Sequence, residues 1–282
     1  MTDLILTILC STTIALMLKF NDIKKGNSLV LLYGNYLIAT IIALFLFFIE
    51  TDSTYSVVTF AFGAIIGIMF VFSFFAFIKA VNIAGTAIAV LSSRLSLIVP
   101  ILLSFVVYAE RPNLYQSIGF IFTFITLGFF YLSLKTKKSK TLKMWDYIYL
   151  FGVLLGMGLA DFSMKVFEQF KPASEKSFFL FSIFIFSFLY SLGYSLLKKN
   201  RFENNTFIRG NILGIPNIFS SFFLIATLSQ FKAIIVYPIV NISVIIITAI
   251  SAYILWNDKV NKYGIIALLF GAVAIILLSL SK

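Results

Sequence analysis

The stretch AIIVYPIVNISVIIITAISAYILWN, residues 233–257, has no charged side chain and is long enough to cross a bilayer as a helix. Ten apolar runs of this kind fill the chain, and nearly all charges lie between them. Their unbroken Ile, Leu and Phe stretches exclude the short alternating strands of an outer-membrane barrel. The sequence therefore predicts an all-α polytopic membrane protein with ten transmembrane helices, near residues 3–19, 28–49, 56–78, 86–108, 113–134, 146–168, 177–197, 209–230, 233–256 and 262–281.

Composition excludes several classes of protein. Hydrophobic residues make up 61% of the 282 and charged residues only 12%, whereas soluble domains are about 25% charged. The net charge of +11 resides mainly in loops that flank helices, as membrane orientation requires, so a nucleic-acid partner is not expected. The chain has no histidine and one cysteine, Cys10. We therefore expect neither a metal site nor a cofactor, and not an enzyme.

An internal duplication emerges when the sequence is shifted by 148 residues. Ser73-Phe74-Phe75 then falls on Ser221-Phe222-Phe223, and Glu110-Arg111 falls on Asp258-Lys259. Asn113 and Tyr115 fall on Asn261 and Tyr263 in the same register. We predict one five-helix repeat over residues 1–140 and a second over 141–282. An odd number of helices inverts the second repeat, and inverted repeats are typical of secondary transporters.

The distribution of lysine and arginine predicts the orientation. The loop around residues 135–145 carries five lysines, and the loops at 24–25, 198–209 and 259–262 are also basic. The opposite loops hold fewer basic residues and several acids. The positive-inside rule then places loop 135–145 in the cytoplasm and both termini outside, in what we expect to be a bacterial inner membrane.

The chain resembles the EamA-like branch of the drug/metabolite transporter superfamily over its whole length. The resemblance is carried by the ten-helix layout, the segment from Ala84 to Pro100, the motif Ala109-Glu110-Arg111-Pro112, and Gly119 nine residues after Glu110. It implies a transporter of small metabolites such as amino acids, usually an exporter. The second half departs from the family pattern, because Asn257-Asp258-Lys259 replaces Gly-Glu-Arg and Ala267 stands where glycine is common. Family members are usually drawn with cytoplasmic termini, the reverse of the orientation that the charges predict here.

Apart from the terminal residues of the predicted spans, three charged residues lie inside them and are candidate functional groups, since charges are costly there. Arg94 could grip a substrate carboxylate or phosphate, pair with Asp161, or extend to the nearer membrane surface. Asp161 and Lys165 lie one helical turn apart. They could form an ion pair, or Asp161 could exchange the proton that couples transport.

Uncharged polar residues extend the candidate substrate site. Tyr237 and Asn241 share a face of the ninth span, and Asn241 corresponds to Ser93 in the fourth. The eighth span offers Asn217 and the second Asn35, although such residues also serve as packing contacts between membrane helices. We expect a central cavity bounded by the fourth and ninth spans. Prolines are expected to interrupt or kink three spans, at Pro100, Pro216 and Pro238.

The sequence favours a secondary transporter whose partners are a small-molecule substrate, the lipid bilayer and a proton or another coupling ion. A monomer is compatible with this function. An intramembrane lipid-modifying enzyme is the alternative, but no constellation of nucleophile and base supports it. A channel would need a ring of matched groups, which two dissimilar halves do not supply.

Overall fold

The computed structural model describes residues 1–84, 86–134, 146–198, 201–257 and 260–280. In these ranges all regular secondary structure is helical, which confirms the all-α prediction. The α-helices are α1 (Thr2–Ile23), α2 (Ser28–Ile49), α3 (Val57–Ala84), α4 (Thr86–Leu95), α5 (Ile98–Val107), α6 (Leu114–Leu134), α7 (Asp146–Phe170), α8 (Lys176–Leu197), α9 (Asn204–Leu228), α10 (Ala233–Trp256) and α11 (Lys262–Ser279). A short 3₁₀ helix, Ala173–Glu175, precedes α8.

Ten segments of the described chain are long and apolar enough to span a membrane, as predicted. The fourth span, Ile88–Val107, differs from the continuous helix expected at 86–108, because it divides into α4 and α5 at Ser96 and Leu97. Pro100 explains the division, since it has no N–H to donate to the Ser96 carbonyl four residues earlier. Val99 donates to that carbonyl instead, at 3.0 Å.

The other two prolines do not interrupt their helices, which corrects that part of the expectation. Pro216 lies inside a continuous α9, and Pro238 lies inside a continuous α10. Two further predictions concern residues outside the described ranges. These are the orientation of loop 135–145 and the match of Asp258-Lys259 to Glu110-Arg111.

The helices are grouped into two compact units, and each unit takes segments from both halves of the chain. The first unit comprises Met1–Val71 and Ser163–Ser229. The second comprises Phe72–Phe162 and Gln230–Lys282. The division into repeats at residues 140 and 141 stays a prediction.

Glycines allow close helix packing within the first unit. Gly210 and Gly214 of α9 face the backbone of α2, where a Cβ on Gly210 would approach the Asn35 nitrogen within 3.2 Å. Gly63 and Gly67 of α3 face the backbone of α8 in the same manner. Small residues four positions apart commonly allow helices to associate in membranes. Close packing is needed there because the hydrophobic effect does not drive helices together within lipid.

In the second unit, α6 packs along α11, and asparagine side chains join the two helices at both ends. Asn113 immediately precedes α6 and donates its side-chain amide to the Leu280 carbonyl at 3.1 Å. Asn261 immediately precedes α11 and donates to the Ser133 carbonyl at 2.9 Å. Each asparagine also caps its own helix, accepting from Gln116 N and Gly264 N respectively. The beginning of each helix is therefore tied to the end of the other.

Candidate functional site

The most unusual polar group of the second unit is Arg94, in the last turn of α4. An arginine inside a membrane span is costly, but the carbonyl end of a helix stabilises a nearby cation. Its Nη1 donates to Asn241 Oδ1 over a long 3.4 Å, while its buried Nε finds no hydrogen-bond partner among the described residues. Arg94 therefore retains hydrogen-bonding capacity for a ligand with acceptor oxygens.

Two residues of α10 lie close to Arg94 or to its neighbours on α7. Asn241 donates its amide to the Tyr237 carbonyl one turn earlier, at 3.0 Å, which leaves its oxygen directed at Arg94. Tyr237 is only 2% exposed, and its hydroxyl donates to the backbone carbonyl of Asp161 at 2.6 Å. That bond joins α10 to α7 beside Arg94.

Asp161 of α7 completes the cluster, and it attracts Arg94 electrostatically. Gly158, three residues earlier, explains how α7 comes so close to the divided span. A Cβ built on Gly158 would lie 2.6 Å from the Ser96 carbonyl and 2.7 Å from Val99 Cγ2. Only glycine fits against the break in this arrangement, and its position keeps Asp161 beside the end of α4.

The structure thus places Arg94, Asn241, Tyr237 and Asp161 in one cluster of the second unit, hereafter the Arg94 cluster. Ser93 adjoins it, and its backbone carbonyl accepts a 2.6 Å hydrogen bond from the Ser96 hydroxyl. Thr248 of α10 has a buried hydroxyl without a partner among the described residues. The sequence indicated these residues because Arg94 and Asp161 are charges in apolar runs and because Tyr237 and Asn241 share a helical face. The role of the Arg94 cluster in substrate binding stays a prediction.

The other predicted site residues belong to the first unit. Asn217 of α9 donates to Asn35 Oδ1 of α2 at 3.1 Å. Lys165 of α7 is 4% exposed, forms a 2.7 Å ion pair with Glu168, and donates to the Leu228 carbonyl at 3.4 Å. These contacts join helices and satisfy a buried charge, as structural polar groups in membranes do. A coupling role for Lys165 stays a prediction.

Two carboxylates have roles that the sequence did not reveal. Glu110 accepts from the backbone nitrogens of Ala233 and Ile234 at 3.2 and 3.0 Å, which caps α10. Glu175 of the first unit is buried and accepts hydrogen bonds from the hydroxyls of Ser56 and Thr59. No local sequence signal could pair residues more than a hundred positions apart.

Comparisons with known proteins agree with this architecture. Residues 2–134 match the model of the EamA-like transporter family, which belongs to the drug/metabolite transporter superfamily, so the predicted family is confirmed for this region. An uncharacterized protein of Haemophilus influenzae is 27% identical over 289 residues, covering 98% of this chain and 96% of its own.

One crystal structure is also similar in fold. It superimposes with a TM-score of 0.80 at 12% sequence identity, over 99% of this chain and 95% of the other. At that identity the likeness concerns the fold alone. The ten spans and the family match together indicate an integral membrane protein, and neither relative supplies a substrate.

Proposed function

We propose that this protein, whose residues 2–134 match the EamA-like transporter family, is a secondary active transporter that exports a small carboxylate-bearing metabolite, such as an amino acid. The observation that carries the proposal is the incompletely bonded guanidinium of Arg94 beside a break in a membrane span. The planar fork of an arginine matches a carboxylate with two parallel hydrogen bonds. The bond to Asn241 is long, at 3.4 Å, so a substrate carboxylate would form stronger hydrogen bonds to Arg94 than Asn241 does.

Asp161 gives this site a means of coupling. Asp161 balances the charge of Arg94. A substrate carboxylate that binds Arg94 would compete with Asp161 for the same cation. The Asp161 carboxylate would then lie in an apolar span without its cation, because the bond from Tyr237 keeps α7 in place. Uptake of a proton would remove that unbalanced charge. Substrate and proton binding would be linked through a single arginine.

Alternating access between inverted repeats over 1–140 and 141–282 is the proposed mode of movement. Reciprocal contacts support the repeats, since Asn113 and Asn261 lie 148 residues apart and each bonds the end of the other's helix. Ala109 and Asn257, also 148 apart, both adopt left-handed backbone conformations, with φ of 51° and 55°. The break at Ser96 and Leu97 provides a bend next to the substrate site.

The test is transport in proteoliposomes containing the purified protein. Candidate substrates come from an untargeted comparison of metabolites retained by cells with and without the protein. We expect saturable, gradient-dependent movement of an unmodified carboxylate compound. Chemical conversion of the compound would favour the enzyme alternative, and non-saturable flux without counterflow would favour a channel.

Substitutions at Arg94 test the site itself. Arg94→Lys keeps the charge but loses the fork, so we expect transport per folded molecule to fall about tenfold or more. Arg94→Ala should abolish transport. Arg111→Lys is the matched control, because Arg111 is exposed and outside the Arg94 cluster, and it should leave transport unchanged. Normal specific activity in Arg94→Ala would remove Arg94 from the mechanism.

A further inference from the structure

A basic cleft lies at one end of the first unit, far along the chain from the Arg94 cluster. It encloses about 400 Å³ where α1 ends and α9 begins. Lys24, Arg201 and Arg209 line it, together with a single carboxylate, Glu203. Arg209 is held in place by donating to Asn21 Oδ1 at 3.1 Å. Three cations facing one carboxylate leave an excess of positive charge in the cleft.

The carboxylate of Glu203 is already engaged by neighbouring groups. It accepts from the Asn27 backbone nitrogen at 3.1 Å and from the Thr206 hydroxyl at 2.8 Å. These hydrogen bonds, with a smaller contribution from Arg201 and Arg209, hold the pKa of Glu203 below its ordinary value. Glu203 is thus used to join α2 to α9, which leaves Lys24 and Arg201 as cations for a ligand.

An apolar groove adjoins the basic cleft, and Phe202 lines both of them. The groove encloses about 390 Å³, with Leu37 of α2 and Leu192 and Leu196 of α8 among its walls. Its rim is open, because Phe202 is 57% exposed and Leu196 is 69% exposed. The cleft lies where several spans begin or end, which is the level of lipid headgroups in a bilayer.

We propose that the cleft and groove together bind one anionic phospholipid, with the phosphate on Lys24 and Arg201 and an acyl chain along the groove past Phe202. Charge complementarity accounts for the phosphate, and the continuous apolar wall accounts for the chain. A free phosphate compound would use the cleft alone, and a neutral lipid would gain only from the groove. The shared Phe202 favours a ligand that has both parts.

The experiment measures lipid binding to the full-length protein in detergent by native mass spectrometry, with phosphatidylglycerol, phosphatidylcholine and soluble glycerol 3-phosphate as probes. We expect the protein to prefer phosphatidylglycerol over the other two. Lys24→Gln with Arg201→Gln should weaken phosphatidylglycerol binding about tenfold to thirtyfold. Arg209 is left unchanged because its guanidinium already joins α9 to α1 through Asn21.

A second double variant controls for net charge. Arg111→Gln with Lys262→Gln removes two exposed cations of the second unit and should leave binding unchanged. Phe202→Ser should weaken phosphatidylglycerol binding without any effect on glycerol 3-phosphate, and thermal unfolding verifies that each variant is folded. Equal losses in both double variants would reduce the effect to non-specific charge. Binding insensitive to Phe202→Ser, or equal affinity for glycerol 3-phosphate, would overturn the lipid assignment.

Discussion

The fourth span and α10 lie in matching registers 148 residues apart, yet one is divided and the other is continuous. Both contain a proline, so proline alone does not decide the outcome. Pro238 follows only five residues of α10, and Glu110 fixes that first turn by accepting two of its backbone N–H groups. Pro100 follows the whole of α4. No comparable cap from outside the span is seen there among the described residues, and the Ser96 hydroxyl donates to the Ser93 carbonyl within the span.

The two spans also differ in the side chains that they place at positions 93 to 94 and 241. In α10, the cap that Glu110 provides keeps the first turn regular. Asn241, which lies 148 residues after Ser93, contributes a neutral side chain. In the fourth span, the break ends α4 immediately after Arg94, where helix carbonyls stabilise the cation. The Arg94 cluster therefore combines a charged side chain of the divided span with a neutral side chain of the continuous one.

The strongest test of this comparison is Gly158→Ala, which should disturb only the divided span. The added Cβ would collide with the Ser96 carbonyl and with Val99. Overpacking against a backbone atom costs about 1–3 kcal/mol, so the thermal unfolding temperature in detergent should fall. Gly128→Ala in α6 is the control, since nothing lies within 4 Å of its Cβ position. Equal unfolding temperatures for the two variants would mean that α7 does not press against the break.

Removing each proline compares the two spans directly. Pro100→Ala supplies an N–H for the Ser96 carbonyl, so the division between α4 and α5 should weaken. One added hydrogen bond is worth about 1 kcal/mol, and backbone exchange around residues 97–101 should slow about fivefold. Pro238→Ala should leave the exchange pattern of α10 nearly unchanged, because that helix is already continuous. A similar response in both spans would contradict the role assigned to Pro100.

The smallest effect is expected where the two spans end. Ala109 and Asn257 both have positive φ, a conformation that costs alanine more than asparagine. Ala109→Gly should therefore stabilise the protein by about 0.5–1 kcal/mol, and Asn257→Gly by less. Thermal unfolding of the two variants measures the difference. A lower unfolding temperature for Ala109→Gly would show that the left-handed turn carries no strain.

The spans could be predicted because a bilayer imposes length and charge rules that local sequence satisfies. The errors occurred at charged residues that were taken as boundaries. Lys79 suggested an end for the third span, but α3 continues to Ala84. Arg209 suggested the start of the eighth span, but α9 begins earlier, at Asn204. Arg209 is accommodated within α9 because it donates a hydrogen bond to Asn21 of α1. A charge does not end a helix when a neighbour or the headgroup layer can satisfy it.

The candidate site was predictable only in part, for a similar reason. Arg94 and Asp161 stand out as charges in apolar runs, and Tyr237 and Asn241 share one helical face. The grouping of Asn35 and Asn217 with them was an expectation that the structure leaves untested, since those two bond each other in the first unit. Gly158 gives no sequence signal that distinguishes it from other membrane glycines, because its significance lies in the Ser96 carbonyl opposite.

The reciprocal asparagine bonds between α6 and α11 restrict how these helices can move. A helix advances about 1.5 Å per residue, so a slide of one residue would stretch the Asn113 bond to Leu280 and the Asn261 bond to Ser133 together. Sliding is therefore opposed at both ends, which favours movement of the two helices as one body. The same two bonds fix their relative lengths, since a residue inserted into either helix would misalign one of its ends.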